Sequence, residues 1–166
     1  PKDMRSILKP NNDFFVELDF NAAELRTMLA LAGVEQPEID IHEWNAKNVF
    51  GGQLDREEVK KRTFAWLYNP QSQDIALSKK YNRDLVVQKY STQSQVTTFF
   101  DRTIDADPHR ALNYIIQSTT SDLFLRRALK IHDMLKDRKS YISCMIHDSL
   151  VIDFSMDDKD ALMDII

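Results

Sequence analysis

Glycine and cysteine are both scarce in this chain: three glycines and one cysteine among 166 residues. With so little glycine, and with no internal repeat or low-complexity stretch, the composition excludes repeat arrays and disordered linkers in favour of ordinary folded structure. A single cysteine, Cys144, excludes an internal disulfide. Together with four scattered histidines it also leaves no zinc-ligand spacing. Cys144 reads instead as a small buried residue on a strand, in a reducing setting. No apolar run approaches the roughly 20 residues that span a bilayer, and the first residues are not a signal peptide. Positive charge is not in excess either. The formal net charge is −4, so bulk electrostatics do not mark a nucleic-acid binder, and any such role has to rest on local basic clusters.

What is present is a sequence of well-punctuated elements. Phe14 to Phe20 is rich in strand formers, and Asn21 is an expected N-cap for a helix from Ala22 to Ala32, ended by Gly33. A short helix is expected from Asp40 to Phe50, and another from about Asp55 to Tyr68 with Pro70 just beyond. Residues 71–95 carry no clear periodicity. Val96 to Thr103 reads as a strand. Asp107-Pro108 opens a long helix to about Leu135, since proline is tolerated in a first turn. Tyr141–Ile146 and Leu150–Phe154 then form a hairpin around His147-Asp148-Ser149. Helices flanking a small antiparallel sheet make the expected class α+β. Pro1 in place of an initiator methionine, and a helical pattern still running at Ile166, suggest cut ends of a longer chain.

Three constellations carry chemistry. In Leu18-Asp19-Phe20-Asn21-Ala22-Ala23-Glu24-Leu25-Arg26, an aspartate ends a strand just before a helix, where a rigid edge can project its carboxylate. Read alone, it is an ordinary strand-end acid. In Arg56-x3-Lys60-x3-Phe64-x3-Tyr68, a spacing of four keeps two cations and two aromatic rings on one slowly drifting helix face. That face rises about 18 Å, comparable to an extended nucleoside triphosphate. Cations at one end can hold phosphates and rings at the other can stack on a base, although a basic half-turn followed by core aromatics has the same pattern. His147-Asp148 puts an acid in a hairpin turn, a common structural position. Taken together they mean more. Asp19 and Asp148 lie 129 positions apart, each at a strand end. If those strands are neighbours, the carboxylates converge on a site whose hard oxygens suit magnesium.

In order and internal spacing, these segments resemble the A, B and C motifs of the family A DNA polymerases. The resemblance implies a polymerase palm with a shortened fingers subdomain, palm at about 1–33 and 96–166 and fingers at about 34–95. It implies template-directed DNA synthesis with two magnesium ions, held by Asp19, Asp148 and the carbonyl of Phe20. Glu24 matches the glutamate that crowds the sugar 2′ position. Arg56 and Lys60 match the triphosphate-binding residues, with Lys60 the proton donor to pyrophosphate, and Phe64 and Tyr68 match the rings beside the sugar and the insertion site. Asp40-Ile41-His42 resembles a signature whose histidine approaches the triphosphate. Arg102, Asn113, Gln117 and His147 match residues on the primer–template, and the Asn113–Gln117 stretch leans toward phage-type enzymes. The implied partners are dNTP and primer–template DNA, with no membrane. A thumb and the rest of the palm would lie elsewhere, the implied setting is bacterial or phage-infected cytoplasm, and the resemblance leaves open whether there is a processivity factor.

Departures from the family pattern matter too. Asn69 stands where a glycine usually follows the fingers-helix tyrosine, and is expected to cap the helix in a left-handed conformation. Ala65 replaces another glycine, Ser149 replaces the acid usual after His-Asp, and His109 stands where an arginine is common. A His-Asp-Ser turn also occurs in single-subunit RNA polymerases, so RNA synthesis is an alternative that Glu24 opposes. A polymerase fold that only binds DNA is a second. Arg126-Arg127-x2-Lys130 reads as a solvated basic face, Trp44 and Trp66 as packing residues, and His132 as a helix-surface residue.

Overall fold

The computed structural model describes residues 7–165; Pro1 and Ile166, read above as cut ends, lie outside them. Among the described residues there are seven α-helices and two small antiparallel sheets, which makes the fold α+β as expected. In chain order they are β1 (Phe14–Asp19), α1 (Ala23–Leu31), α2 (Ile41–Asn48), α3 (Arg56–Tyr68), α4 (Ile75–Lys80), α5 (Arg83–Tyr90), β2 (Gln95–Thr97), β3 (Thr103–Asp105), α6 (Ala111–Leu135), β4 (Tyr141–Ile146), β5 (Ser149–Phe154) and α7 (Lys159–Ile165). No helix among them is long and apolar enough to cross a membrane. The chain divides into two compact units, one from the segments up to Phe20 and from Leu123 onward, the other from Asn21 to Asp122.

The first unit is built on a three-stranded antiparallel sheet in the order β1-β5-β4. The central strand β5 supplies Leu150, Ile152 and Phe154, whose alternation puts all three on one face. They pack with Phe124, Ala128, Ile131 and Leu135, which recur at helical spacing along α6, and with Ala161 and Ile165 of α7. A bulge at Ile142/Cys144 interrupts the β4–β5 ladder, and Cys144 is half-buried rather than fully buried. The carboxylate of Asp153, 2 % exposed, accepts from the backbone N–H groups of Asn11 (2.7 Å) and Asn12 (2.9 Å) and from the Tyr141 hydroxyl (3.0 Å). These bonds moor the segment that leads into β1.

The second unit surrounds a core containing Leu25, Met28 and Leu29 of α1, Ile41 of α2, Trp66 and Leu67 of α3, and Ile115 and Ile116 of α6. Asp40, Asp55, Asp74 and Asn82 cap α2 to α5 with their side chains, each satisfying backbone donors that a helix start leaves orphaned. Residues 71–95, without periodicity in the sequence, contain α4 and α5, which are too short for a hydrophobic stripe to repeat.

Four local expectations are corrected. Asn21 is not the N-cap of α1; Ala22 holds that position in a left-handed conformation, φ 50°, with no side-chain cap. Asn69 ends α3 in an extended conformation, φ −100°, not a left-handed one. Val96 to Thr103 is not one strand. Its ends pair with each other, Thr97 opposite Thr103, across a reversal with Asp101 at φ 63°. The β4–β5 turn is His147-Asp148, because Ser149 already belongs to β5.

Arg83 closes the far end of α3. It lies over the Trp66 ring at 5.2 Å and donates to the carbonyls of Trp66, Asn69 (3.1 Å), Pro70 (2.9 Å) and Ser72 (3.0 Å). A planar fork of donors can span these acceptors and a point-like ammonium cannot. Arg83→Ala should therefore cost about 2–3 kcal/mol of unfolding free energy in urea titrations, and Arg83→Lys should recover less than half of it.

Burial alone would raise the pKa of Asp153, but the Asn11 and Asn12 N–H groups and Tyr141 outweigh it and hold the carboxyl below its usual range. A depressed carboxyl adds stability above its unfolded pKa and loses it as pH falls toward the folded one. The wild-type chain should lose stability as pH drops below about 4. Asp153→Asn should be less stable at neutral pH and show a shallower acid loss, read by urea midpoints at stepped pH.

Candidate functional site

Within the first unit, β1 and β5 pair in antiparallel register from Phe14↔Phe154 to Asp19↔Ser149. That register sets Asp19, the last residue of β1, beside the turn that carries Asp148. Both aspartates are exposed, and both line a cavity of about 360 Å³ with Phe20, Phe124, Arg127 and Leu150 among its walls. The Ser149 hydroxyl is 3.4 Å from Asp19 Oδ1, so a weak donor stands beside that carboxylate. His147 is exposed and left-handed, φ 56°, a conformation that costs a non-glycine residue about 1 kcal/mol or more. Phe20 meets Phe124 edge-on at 6.1 Å, which anchors the residue following Asp19. No cluster of three or more His, Cys, Asp or Glu side chains suited to a metal occurs among the described residues. Glu17 lines the same cavity, but the three carboxylates are not gathered as a set of metal ligands.

The second unit gathers most of the other candidates around α3. Arg56 donates through Nη2 to Asp40 Oδ2 and through Nη1 to Glu57 Oε1, both at 2.7 Å. Lys60, one turn on, is exposed and makes no ion pair among the described residues. His42 is 2 % exposed, and its Nδ1 is buried without a partner. Burial lowers its pKa, Asp40 opposes that shift, and Arg56 and Lys60 add to it, so the ring is neutral at pH 7. His42 lies 6.0 Å from Phe64, and Phe64 stacks on Tyr68 at 6.1 Å and 11°. These three rings form a continuous row along the helix.

Tyr68 ends the row half-buried, with its hydroxyl oxygen turned away from solvent. Burial, with the Glu24 carboxylate beside it, pushes its phenol well above the usual range, while Gln117 acts in the opposite direction. Neither neighbour closes a hydrogen bond of normal geometry on the hydroxyl, which is buried and unpartnered. Glu24 on α1, Tyr68 on α3 and Gln117 on α6 are nonetheless brought together from three separate helices. Asn113, one turn before Gln117, is half-buried. Arg102 is already occupied: its Nη2 and Nε reach Asp122 Oδ1 at 2.6 and 2.9 Å, and Nη2 also reaches the Ser118 carbonyl.

Some residues that shape these sites were not singled out from sequence. Asp40 opens its helix as the sequence leads one to expect, but nothing local announces its ion pair with Arg56. Asp122 partners Arg102 from 20 positions away, and nothing local announces that. Arg127, assigned to a solvated basic face, is half-buried, lines the Asp19–Asp148 cavity and donates to the Ile165 carbonyl at 2.7 Å. Trp66 packs fully, whereas Trp44 is half-buried with the Lys80 ammonium 5.0 Å from its ring centre.

No protein-family model matches the sequence, and no curated protein matches it. Among solved structures, the chain is similar to the POL domain of Pol1 from M. smegmatis, solved in complex with DNA primer-template and dNTP. The TM-score is 0.67 at 17% identity, over 91% of this chain and 35% of that one. The fold resembles part of a DNA polymerase I POL domain. At that identity the likeness is one of fold, and the chain spans about a third of the Pol1 chain's length.

In this polymerase-like fold the Tyr68 hydroxyl is a buried donor without a hydrogen bond of normal geometry, although the Glu24 carboxylate lies beside it. Deleting an unsatisfied hydroxyl is close to neutral, unlike deleting one partner of a made bond. Tyr68→Phe should leave the urea midpoint unchanged or slightly raised. A loss above about 1 kcal/mol would mean that the hydroxyl has a partner after all.

Proposed function

We propose that this chain is the palm-and-fingers core of a template-directed DNA polymerase, transferring a nucleotidyl group from a dNTP to a primer 3′-hydroxyl. The observation that carries the reading is the convergence of Asp19 and Asp148 on one cavity, in a fold that resembles part of a polymerase domain. Two exposed carboxylates fit magnesium, which binds through one or two carboxylates and fills its remaining positions with water and substrate phosphates. Asp19, Asp148 and the backbone carbonyl of Phe20 would hold two such ions. When bound, they would make the 3′-hydroxyl more acidic and neutralise charge on the pyrophosphate leaving group.

The remaining roles belong to side chains. Arg56 and Lys60 bind the triphosphate, and Lys60 supplies a proton to the departing pyrophosphate. His42, neutral and buried beside them, has one ring N–H to donate to the same phosphates. Phe64 and Tyr68 flank the sugar and base. Glu24, close to Tyr68, occupies the volume a 2′-hydroxyl would need, which favours deoxynucleotides and opposes the RNA polymerase reading. Arg102, Asn113, Gln117 and His147 contact the primer–template, Arg102 by exchanging Asp122 for a phosphate. In this reading residues 1–33 and 96–166 are palm, residues 34–95 are a shortened fingers subdomain, and the thumb and remaining palm are supplied outside this chain, in the cytoplasm.

The test is magnesium-dependent primer extension by the protein, expressed with any further sequence its gene encodes. Asp19→Ala and Asp148→Ala should each reduce extension by more than about 100-fold with helix content unchanged, since even outer partners of a metal site matter on that scale. Glu24→Ala should raise ribonucleotide incorporation relative to deoxynucleotide. Extension that survives either aspartate substitution refutes the metal pair, and binding of primer–template with no extension at all points to a DNA-binding module.

A further inference from the structure

Asp40 uses its two carboxylate oxygens on two different helices. Oδ1 accepts from the backbone N–H groups of His42 (2.9 Å) and Glu43 (3.0 Å), which caps α2. Oδ2 accepts from Arg56 Nη2 at 2.7 Å, at the first residue of α3. Capping needs a single acceptor, and serine, threonine or asparagine supply one as well as aspartate does. The second oxygen is therefore surplus to the cap, and it is the one that reaches across to Arg56. The loop before Asp40 is itself held, with Arg26 donating to the carbonyls of Pro37 (3.0 Å) and Ile39 (2.9 Å).

The bond leaves Arg56 usable. A guanidinium carries five N–H donors; Asp40 and Glu57 take one each, and about three remain for an anion. What the carboxylate removes is rotamer freedom, a loss a free arginine would otherwise suffer when its ligand arrives. Asp40 is built to stay ionised in this role. Its hydrogen bond to Arg56 and those from the Glu43 and His42 backbone hold its pKa down to about 2 despite partial burial.

The geometry points to Asp40 as a positioning residue for triphosphate recognition, one carboxylate that fixes His42 and Arg56 relative to each other before nucleotide binds. This rests on the nucleotide-binding reading of α3 given above and adds to it a residue with no direct contact to the substrate.

Calorimetric titration of the protein with dATP and with inorganic tripolyphosphate, each with magnesium, tests it. Asp40→Ser keeps a capping oxygen but cannot reach Arg56, and should weaken both ligands by about three- to tenfold, the scale of ordering one long side chain. Asp40→Asn, which keeps the cap and drops the charge, gives the same comparison should the serine variant fail to fold. In an Arg56→Ala background, the Asp40 substitution should cost nothing further, and in primer extension the KM for dNTP should rise while kcat changes less than about twofold. Unchanged or tighter binding by Asp40→Ser overturns the proposal, as does an equal loss in the Arg56→Ala background, which would mean a merely structural cap. A wild-type protein that binds neither ligand overturns the nucleotide reading itself, and the role of Asp40 with it.

Discussion

The pairing of β1 with β5 is the constraint on which the candidate chemistry depends. Its register, Phe14 against Phe154 through Asp19 against Ser149, is enforced by burial. β5 contributes Leu150, Ile152 and Phe154 to a core, and a slip by one residue would turn all of them to the opposite face. The hydrophobic effect, acting on residues with no chemical role, thereby sets two carboxylates 129 positions apart beside one cavity. The acids themselves would repel and supply none of the energy that brings them together.

A second theme is that several arginines of the second unit, unlike Lys60, are matched by acids before any ligand is present. Arg56 is held by Asp40 and Glu57, Arg62 by Asp74 and Arg102 by Asp122. In a chain of net charge −4, these acids orient particular guanidiniums and leave no general positive field. Such pairs at the surface contribute little stability. Their value lies in fixing where a donor points.

Much of the fold could be read from local signals. The strand Phe14–Asp19, the helices bearing Arg56 and Ala111, and the hairpin around His147-Asp148 all follow from strand-forming runs, capping residues and proline placement. The misses share a cause. Ala22, left-handed, takes the N-cap position expected of Asn21, and Asn69 ends its helix extended where a left-handed cap was expected; each preference is worth only about 1 kcal/mol, small beside tertiary packing. The hairpin of β2 and β3 was mistaken for one strand since three-residue strands offer too few alternations to reveal the turn.

The amino-acid order by itself determined the types of the longer elements, the α+β class and the motif residues, because capping, periodicity and turn chemistry act over a few neighbours. Tertiary structure alone decided which side chains meet: Asp19 with Asp148 on one cavity, Asp40 with Arg56, Arg102 with Asp122, and Glu24 and Gln117 around the Tyr68 hydroxyl. Those meetings are set by strand register and helix packing, collective outcomes of burying the core that no short stretch of sequence encodes.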